Sequence, residues 1–138
     1  MDILYVDMET FWDTNYTLKK LTTQQYIDDP RFEVIGIAIA KNDEEPVWFS
    51  GTKYELGNWL RSFDWANSFA VAHNAMFDMS ILSWRFELYP HTIIDTLSMA
   101  RAVHGVDAGG SLAALATQYE LQDKGVEVEN AKGLHRKD

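Results

Sequence analysis

The sequence contains no cysteine and only three prolines among its 138 residues. Without cysteine the chain can form neither a disulfide bond nor a thiolate metal site, so carboxylate or histidine side chains would have to hold any metal ion. Long apolar runs are also missing, because the longest, residues 34–40, is far too short to span a membrane. The N-terminus lacks the basic segment and the apolar stretch of a signal peptide. These absences predict a cytoplasmic protein with no membrane partner.

Basic residues are scarce as well. The chain has 12 Lys and Arg against 21 Asp and Glu, and its formal net charge is −9. This balance argues against a protein that grips nucleic acid over a broad basic face. It does not exclude nucleic-acid chemistry. An enzyme that binds phosphate through divalent cations needs clustered carboxylates at its metal site.

The composition predicts one folded domain. The apolar fraction is 46% and the aromatic fraction 13%, which is too much buryable surface for a disordered chain. We assign residues 1–125 to this domain and residues 126–138, which are polar and weakly patterned, to a tail.

The hydrophobic periodicity predicts an α/β domain with a mixed five-stranded sheet and helices on both faces. The predicted strands are residues 2–9, 33–41, 47–50, 69–72 and 92–95, and the predicted helices are residues 53–63, 75–88, 96–104 and 112–119. The segment between the first two strands is predicted to be a long connection with at most one helical turn. In the helix of residues 75–88, Phe77, Ile81 and Trp84 fall on one inward stripe, and Asn74 suits the N-cap position.

Two carboxylates end the first predicted strand. Side chains two residues apart in a strand share a face, so Asp7 and Glu9 project together. Such a pair is costly unless a divalent cation lies between the charges. By itself, however, an acidic pair at a strand end is more often a solvated edge than a metal site.

A third carboxylate, Asp78, falls in the first turn of the helix that follows the fourth strand. Asp78 could simply offset the helix dipole. If the first and fourth strands are parallel neighbours, though, Asp78 joins Asp7 and Glu9 at the crevice where α/β sheets bind ligands. Three oxygen ligands favour Mg²⁺ or Mn²⁺, and a pair of such ions is the arrangement that hydrolyses phosphodiesters.

The two motifs resemble a known family. Asp7-x-Glu9-Thr10 and His73-Asn74-x-x-Phe77-Asp78 are similar to the first and second motifs of the DEDD, or DnaQ-like, 3′→5′ exonucleases, which have a ribonuclease H-like fold. Further stretches resemble the proofreading domain at the start of bacteriophage family A DNA polymerases: residues 5–10, 26–36, 95–101 and 111–115.

The resemblance implies roles for the matching positions. Asp7 would bridge two Mg²⁺ or Mn²⁺ ions, Glu9 would bind one of them, and Asp78 would hold the second. Three further residues would contact the 3′-terminal nucleotide of single-stranded DNA: Thr10, Asn74 and Phe77. Asp95 is not a catalytic position in the family, and we interpret it as the cap of the following helix.

The family also needs a fourth carboxylate, an Asp that follows Tyr by four residues or His by five. Tyr119 and Asp123 have the first spacing, but Tyr119 falls on the predicted core stripe. His135 and Asp138 have the wrong interval. We therefore expect a chain that stops before the third motif, with a polymerase domain or another chain supplying it. The alternative is a catalytically silent fragment or a module that binds DNA ends.

Overall fold

The computed structural model describes residues 1–105, 109–119 and 132–135. Its strands are β1 (Asp2–Thr10), β2 (Val34–Lys41), β3 (Val47–Phe49), β4 (Ser68–Ala72) and β5 (Thr92–Asp95). Its helices are α1 (Thr23–Asp28), α2 (Lys53–Leu60), α3 (Ala75–Phe86), α4 (Thr96–His104) and α5 (Leu112–Gln118), with a short 3₁₀ helix at Trp65–Asn67. None of the helices in these described ranges has the length and apolar character needed to cross a membrane.

The five strands form one mixed sheet in the order β3-β2-β1-β4-β5. β1 is antiparallel to β2 and β2 to β3, whereas β1, β4 and β5 run parallel. The predicted five-stranded α/β architecture is therefore confirmed. Because β1 and β4 are parallel neighbours, their carboxyl ends lie side by side, as the convergence of the acidic residues requires.

One face of the sheet carries the core. Leu4, Val6 and Met8 alternate along β1 and are all buried. They form a single cluster with Leu56 and Leu60 of α2 and with Ile81 and Leu82 of α3. The other face is more thinly covered by the described helices, because α4 has no buried residue and α5 buries only Ala116.

The helix ends depend on capping. Thr22 and Thr52 each close a capping box, with Gln25 and Glu55 respectively, which explains why α1 is a real helix although the sequence predicts at most a turn there. Asn74 occupies the predicted N-cap position of α3, but it does not cap the helix with its side chain. Its backbone is left-handed, with φ 62°, and its side chain makes no capping hydrogen bond. Instead, its N–H donates to the Asp95 carboxylate at 3.0 Å.

The inward stripe predicted for α3 is also partly wrong. Ile81 is buried, but Trp84 is 50% exposed. The buried arc follows Asp78, Leu82 and Phe86, which are spaced four residues apart and so lie one above another on the helix. The buried side of α3 is thus centred away from Trp84.

The described part of the predicted tail lies against the segment that follows β1. Gly133 N–H donates to the Trp12 carbonyl at 2.8 Å. The ring of His135 stacks on Phe11 with centroids 4.0 Å apart, and its Nδ1 lies 2.5 Å from Glu33 Oε2. The predicted domain boundary at residue 125 lies outside the described residues and stays a prediction.

We expect Ile81→Ala to destabilise the protein by about 2–5 kcal/mol, because the substitution leaves a cavity beneath the sheet. Met76 lies on the same helix but is 70% exposed, so Met76→Ala should change the free energy of unfolding by only about 0.5 kcal/mol. Urea denaturation of both variants measures the difference. Equal effects would contradict the placement of Ile81 in the core.

Candidate active site

The end of β1 presents two carboxylates on one side of the strand. Asp7 and Glu9 pair across the sheet with Ala38 and Gly36, while Met8 between them is buried on the opposite face. The register between β1 and β2 shifts immediately after Glu9. Such irregularities re-aim side chains and are common beside functional sites.

Asp78 reaches the same place from α3. Its side chain is 5% exposed, and its Oδ1 accepts a hydrogen bond from the Met8 N–H at 3.3 Å. Met8 is the residue between Asp7 and Glu9. The structure therefore brings together the three carboxylates that the sequence singles out.

The electrostatics reflect this crowding. Burial, the negative charge of Asp7 and, more weakly, that of Glu9 together raise the pKa of Asp78 to about 8, against the hydrogen bond from Met8 that lowers it. The carboxyl group of Asp78 therefore keeps its proton near neutral pH.

A cleft of about 490 Å³ opens beside these residues. Four of the predicted site residues line it: Asp7, Glu9, Thr10 and Phe77. Its remaining wall consists of Met8, Trp12, Thr17, Leu18, Lys19, Tyr26 and Leu112. Asn74 is not among the lining residues, so its contact with a nucleotide stays a prediction.

Tyr26 supports the cleft from behind. Its hydroxyl donates to the Phe11 carbonyl, so Thr10 Oγ1, at 2.8 Å, is the donor to the Tyr26 oxygen. The Tyr26 ring stacks on Tyr16 at 4.3 Å and meets Phe77 at 5.8 Å. Burial raises the pKa of Tyr26, which keeps the phenol in its donating form. The position of Thr10 is thereby fixed.

Asp95 links the two helices that begin near the site. Its Oδ1 accepts from the Leu97 N–H at 3.0 Å, which confirms its predicted role as the cap of α4. It also accepts from the Asn74 N–H, so the same carboxylate anchors the entry to α3. Although burial raises the pKa of Asp95, backbone hydrogen bonds from Ala75 and Leu97 outweigh it and keep that pKa below its ordinary value.

The family model for the 3′–5′ exonuclease of family A DNA polymerases matches residues 2–134, nearly the whole chain. The chain belongs to this exonuclease family. No curated protein matches it. The membership confirms the resemblance seen in the motifs and the ribonuclease H-like fold, and it implies a nucleic-acid substrate.

Exonucleases of this kind generally use divalent metal ions. In the described part of the chain, no three carboxylate or histidine side chains are placed as a ready-made metal-binding group. Like-charged carboxylates repel one another, which works against so close an approach. The donors nevertheless fit a hard cation, because all three are carboxylates and the charges of Asp7 and Glu9 act on the buried Asp78.

Sequence reasoning missed much of the exonuclease cleft. Five of its lining residues lie in the segment that the sequence predicts only as a connection: Trp12, Thr17, Leu18, Lys19 and Tyr26. The one available signal is the position of Trp12 two residues after the end of the first motif. Asp123, the weak candidate for the fourth carboxylate, lies outside the described residues.

The raised pKa of Asp78 predicts how stability depends on pH. Because the folded-state pKa lies above the unfolded value, the folded state is favoured while Asp78 is protonated, and this advantage is lost as the pH rises from 3.8 to about 8. Each pKa unit corresponds to about 1.4 kcal/mol. In the presence of a chelator, we expect Asp78→Asn to be more stable than the wild type at pH 8 by about 2 kcal/mol or more.

Urea denaturation between pH 4 and pH 8 measures this effect. Asp43→Asn, in the exposed loop between β2 and β3, is the matched control and should keep the wild-type pH dependence. An Asp78→Asn protein whose stability falls with pH as steeply as that of the wild type would rule out a titration of Asp78 in this range.

Proposed function

We propose that this exonuclease removes nucleotides one at a time from the 3′ end of single-stranded DNA, as the proofreading domain of a phage-type DNA polymerase in the host cytoplasm. The observation that carries this proposal is the buried Asp78 carboxyl, held at the Met8 N–H between Asp7 and Glu9. The arrangement concentrates negative charge at the carboxyl ends of β1 and β4. It lies beside the cleft of about 490 Å³, which we propose holds a nucleotide.

Asp7, Glu9 and Asp78 would hold two Mg²⁺ or Mn²⁺ ions. Ions bound there supply an activated water and stabilise the leaving oxygen of the terminal phosphodiester. In our proposal Asp7 contributes to both ions, while Glu9 and Asp78 each contribute to one. The three carboxylates carry the negative charge that such ions need, and Asp78 would lose its proton when they bind.

The remaining wall of the cleft suits the terminal nucleotide. Phe77 and Trp12 offer aromatic surface for a base or sugar, and stacking of this kind tolerates any base. Lys19 is the only cation among the described lining residues and lies where it can meet a phosphate. Thr10 and Asn74 would hydrogen-bond to the nucleotide, Thr10 from the position that Tyr26 imposes.

The fourth carboxylate of the family is proposed to come from a polymerase domain or another chain. Tyr119, the residue that would pair with Asp123, is 55% exposed rather than in the core as predicted. Its hydroxyl lies 2.5 Å from His104 Nε2 on α4. This contact holds the Tyr119 side chain against α4 and argues against a role for Tyr119 in orienting water at the cleft.

Digestion of 5′-labelled single-stranded DNA in Mg²⁺ or Mn²⁺ tests the activity. We expect stepwise shortening from the 3′ end when the domain or chain that supplies the fourth carboxylate is present, and little or none without it. In its presence Asp7→Ala should reduce the rate at least a hundredfold, because losing a group that acts directly in the chemistry has effects of this size. Asp123→Asn should digest at the wild-type rate. The same digestion of 5′-labelled RNA reports the sugar preference.

Met76→Ala, an exposed change on α3, is the control for handling and folding. Equal rates for Asp7→Ala and the wild type would dispose of the catalytic assignment. DNA that is bound at its 3′ end but never shortened would favour the alternative of an end-binding module.

Metal binding can be measured without DNA. Calorimetric titration of the wild type with Mn²⁺ should release heat. The two sites should give either two separate transitions or one combined transition. Binding should displace the proton of Asp78, so the heat at pH 7 should depend on the ionisation enthalpy of the buffer. Asp7→Ala should lose at least one site. Absence of heat at millimolar Mn²⁺ in the wild type would refute the metal assignment.

A further inference from the structure

A groove of about 650 Å³ runs between α2 and α3, on the outer surface of the helical layer. Three cations line it: Lys53 and Arg61 from the α2 side and Arg85 from α3. The chain as a whole has a net charge of −9, so three positive side chains in one groove are a local reversal of its charge. The acidic residue of this lining is Glu87.

These cations are not used in ion pairs with the part of the chain that the structure describes. Arg61 donates to the Asn58 side chain at 2.8 Å, a neutral partner. Arg85 donates to the Ile27 carbonyl, its guanidinium carbon lies 5.2 Å from the centre of the Phe32 ring, and its Nε is buried, so this cation is already engaged within the protein. The positive charges of Lys53 and Arg61 are the ones available to an anionic ligand.

Two aromatic rings stand beside the cations. Tyr54 is 75% exposed and Trp84 is 50% exposed, and both line the groove. Large aromatic side chains that are exposed next to each other usually belong to a binding site. Cations that meet phosphates, interleaved with rings that stack on bases, are the combination by which proteins hold single strands.

The backbone of α2 makes room for this arrangement. Gly57 lies in the interior of the helix, where glycine is unfavourable. A Cβ at this position would lie 3.2 Å from the Arg61 guanidinium nitrogens. Such a contact is tighter than usual, so the glycine leaves room for the Arg61 guanidinium beside the helix.

The groove also lies at a useful place relative to the cleft. Trp84 follows Phe77 of the cleft by two turns of α3, which is about 10 Å along the helix axis. A strand whose 3′ end occupies the cleft would need only a few more nucleotides to reach the groove.

We propose that the groove between α2 and α3 is a second contact surface for single-stranded DNA. Lys53 and Arg61 bind its phosphates, and Tyr54 and Trp84 stack on its bases. The inference rests on the proposed function for the identity of the strand. An acidic protein segment would satisfy the cations but would leave the two rings without a role.

Binding of 5′-fluorescein-labelled dT20, measured by anisotropy in a chelator so that no metal is needed, tests the groove. We expect the double variant Lys53→Ala/Arg61→Ala to weaken binding about tenfold and to lower the slope of log K against log salt by about 1.4, or 0.7 for each lost phosphate contact. Trp84→Leu should weaken binding about tenfold with little change in slope. The trinucleotide dT3 should bind all variants equally.

The matched control is Lys41→Ala/Arg101→Ala, which removes the same charge away from the groove. Equal weakening in both double variants would overturn the proposal, because only net charge would then matter. A groove variant that still binds dT20 but no longer binds a polyglutamate peptide would also overturn the proposal. That result would assign the groove to an acidic protein. Digestion of dT3 is scored separately, so a failure of the exonuclease proposal is distinguishable from a failure of the groove.

Discussion

The hydrogen bond between the Asp78 carboxyl and the Met8 N–H is the contact on which the site depends. It joins the start of α3 to the end of β1 and places a buried carboxyl beside Asp7 and Glu9. Burial of that group next to two like charges opposes folding at neutral pH. The parallel pairing of β1 with β4 and the anchoring of α3 by Asp95 hold the carboxyl there despite this cost.

An aromatic cluster packs behind the cleft and supports it. Tyr16, Tyr26 and Phe77 pack in sequence behind the end of β1, and the Tyr16 hydroxyl donates to the Tyr26 carbonyl at 2.5 Å. The Arg31 guanidinium lies 4.6 Å from the centre of the Tyr16 ring and is paired with Asp29. The long connection after β1 is thereby a structured wall of the cleft rather than a loose loop, and Trp12 and Lys19 are displayed from it.

Charge is segregated in this protein. Carboxylates gather at the carboxyl ends of β1 and β4, where burial and the charges of Asp7 and Glu9 raise the pKa of Asp78, while Lys53, Arg61 and Arg85 line the groove between α2 and α3. In our proposal, this acidic protein binds a polyanion in two separate places: at carboxylates that attract metal ions, and at a short cationic groove away from them. The net charge of −9 reveals neither the acidic cluster nor the cationic groove, because a net charge does not say where the charges lie.

Local pattern in the sequence determined the sheet and its helices, the shared side of Asp7 and Glu9, the first-turn position of Asp78 and the capping role of Asp95, because all of these follow from backbone periodicity over a few residues. The tertiary structure alone decided that Tyr26 braces Thr10, that Asn74 is left-handed and does not cap, and that Trp84 faces outward. It also decided the pKa of Asp78. These properties depend on which segments, distant in the sequence, cover a side chain. The spacing of neighbouring residues in the sequence does not reveal such burial.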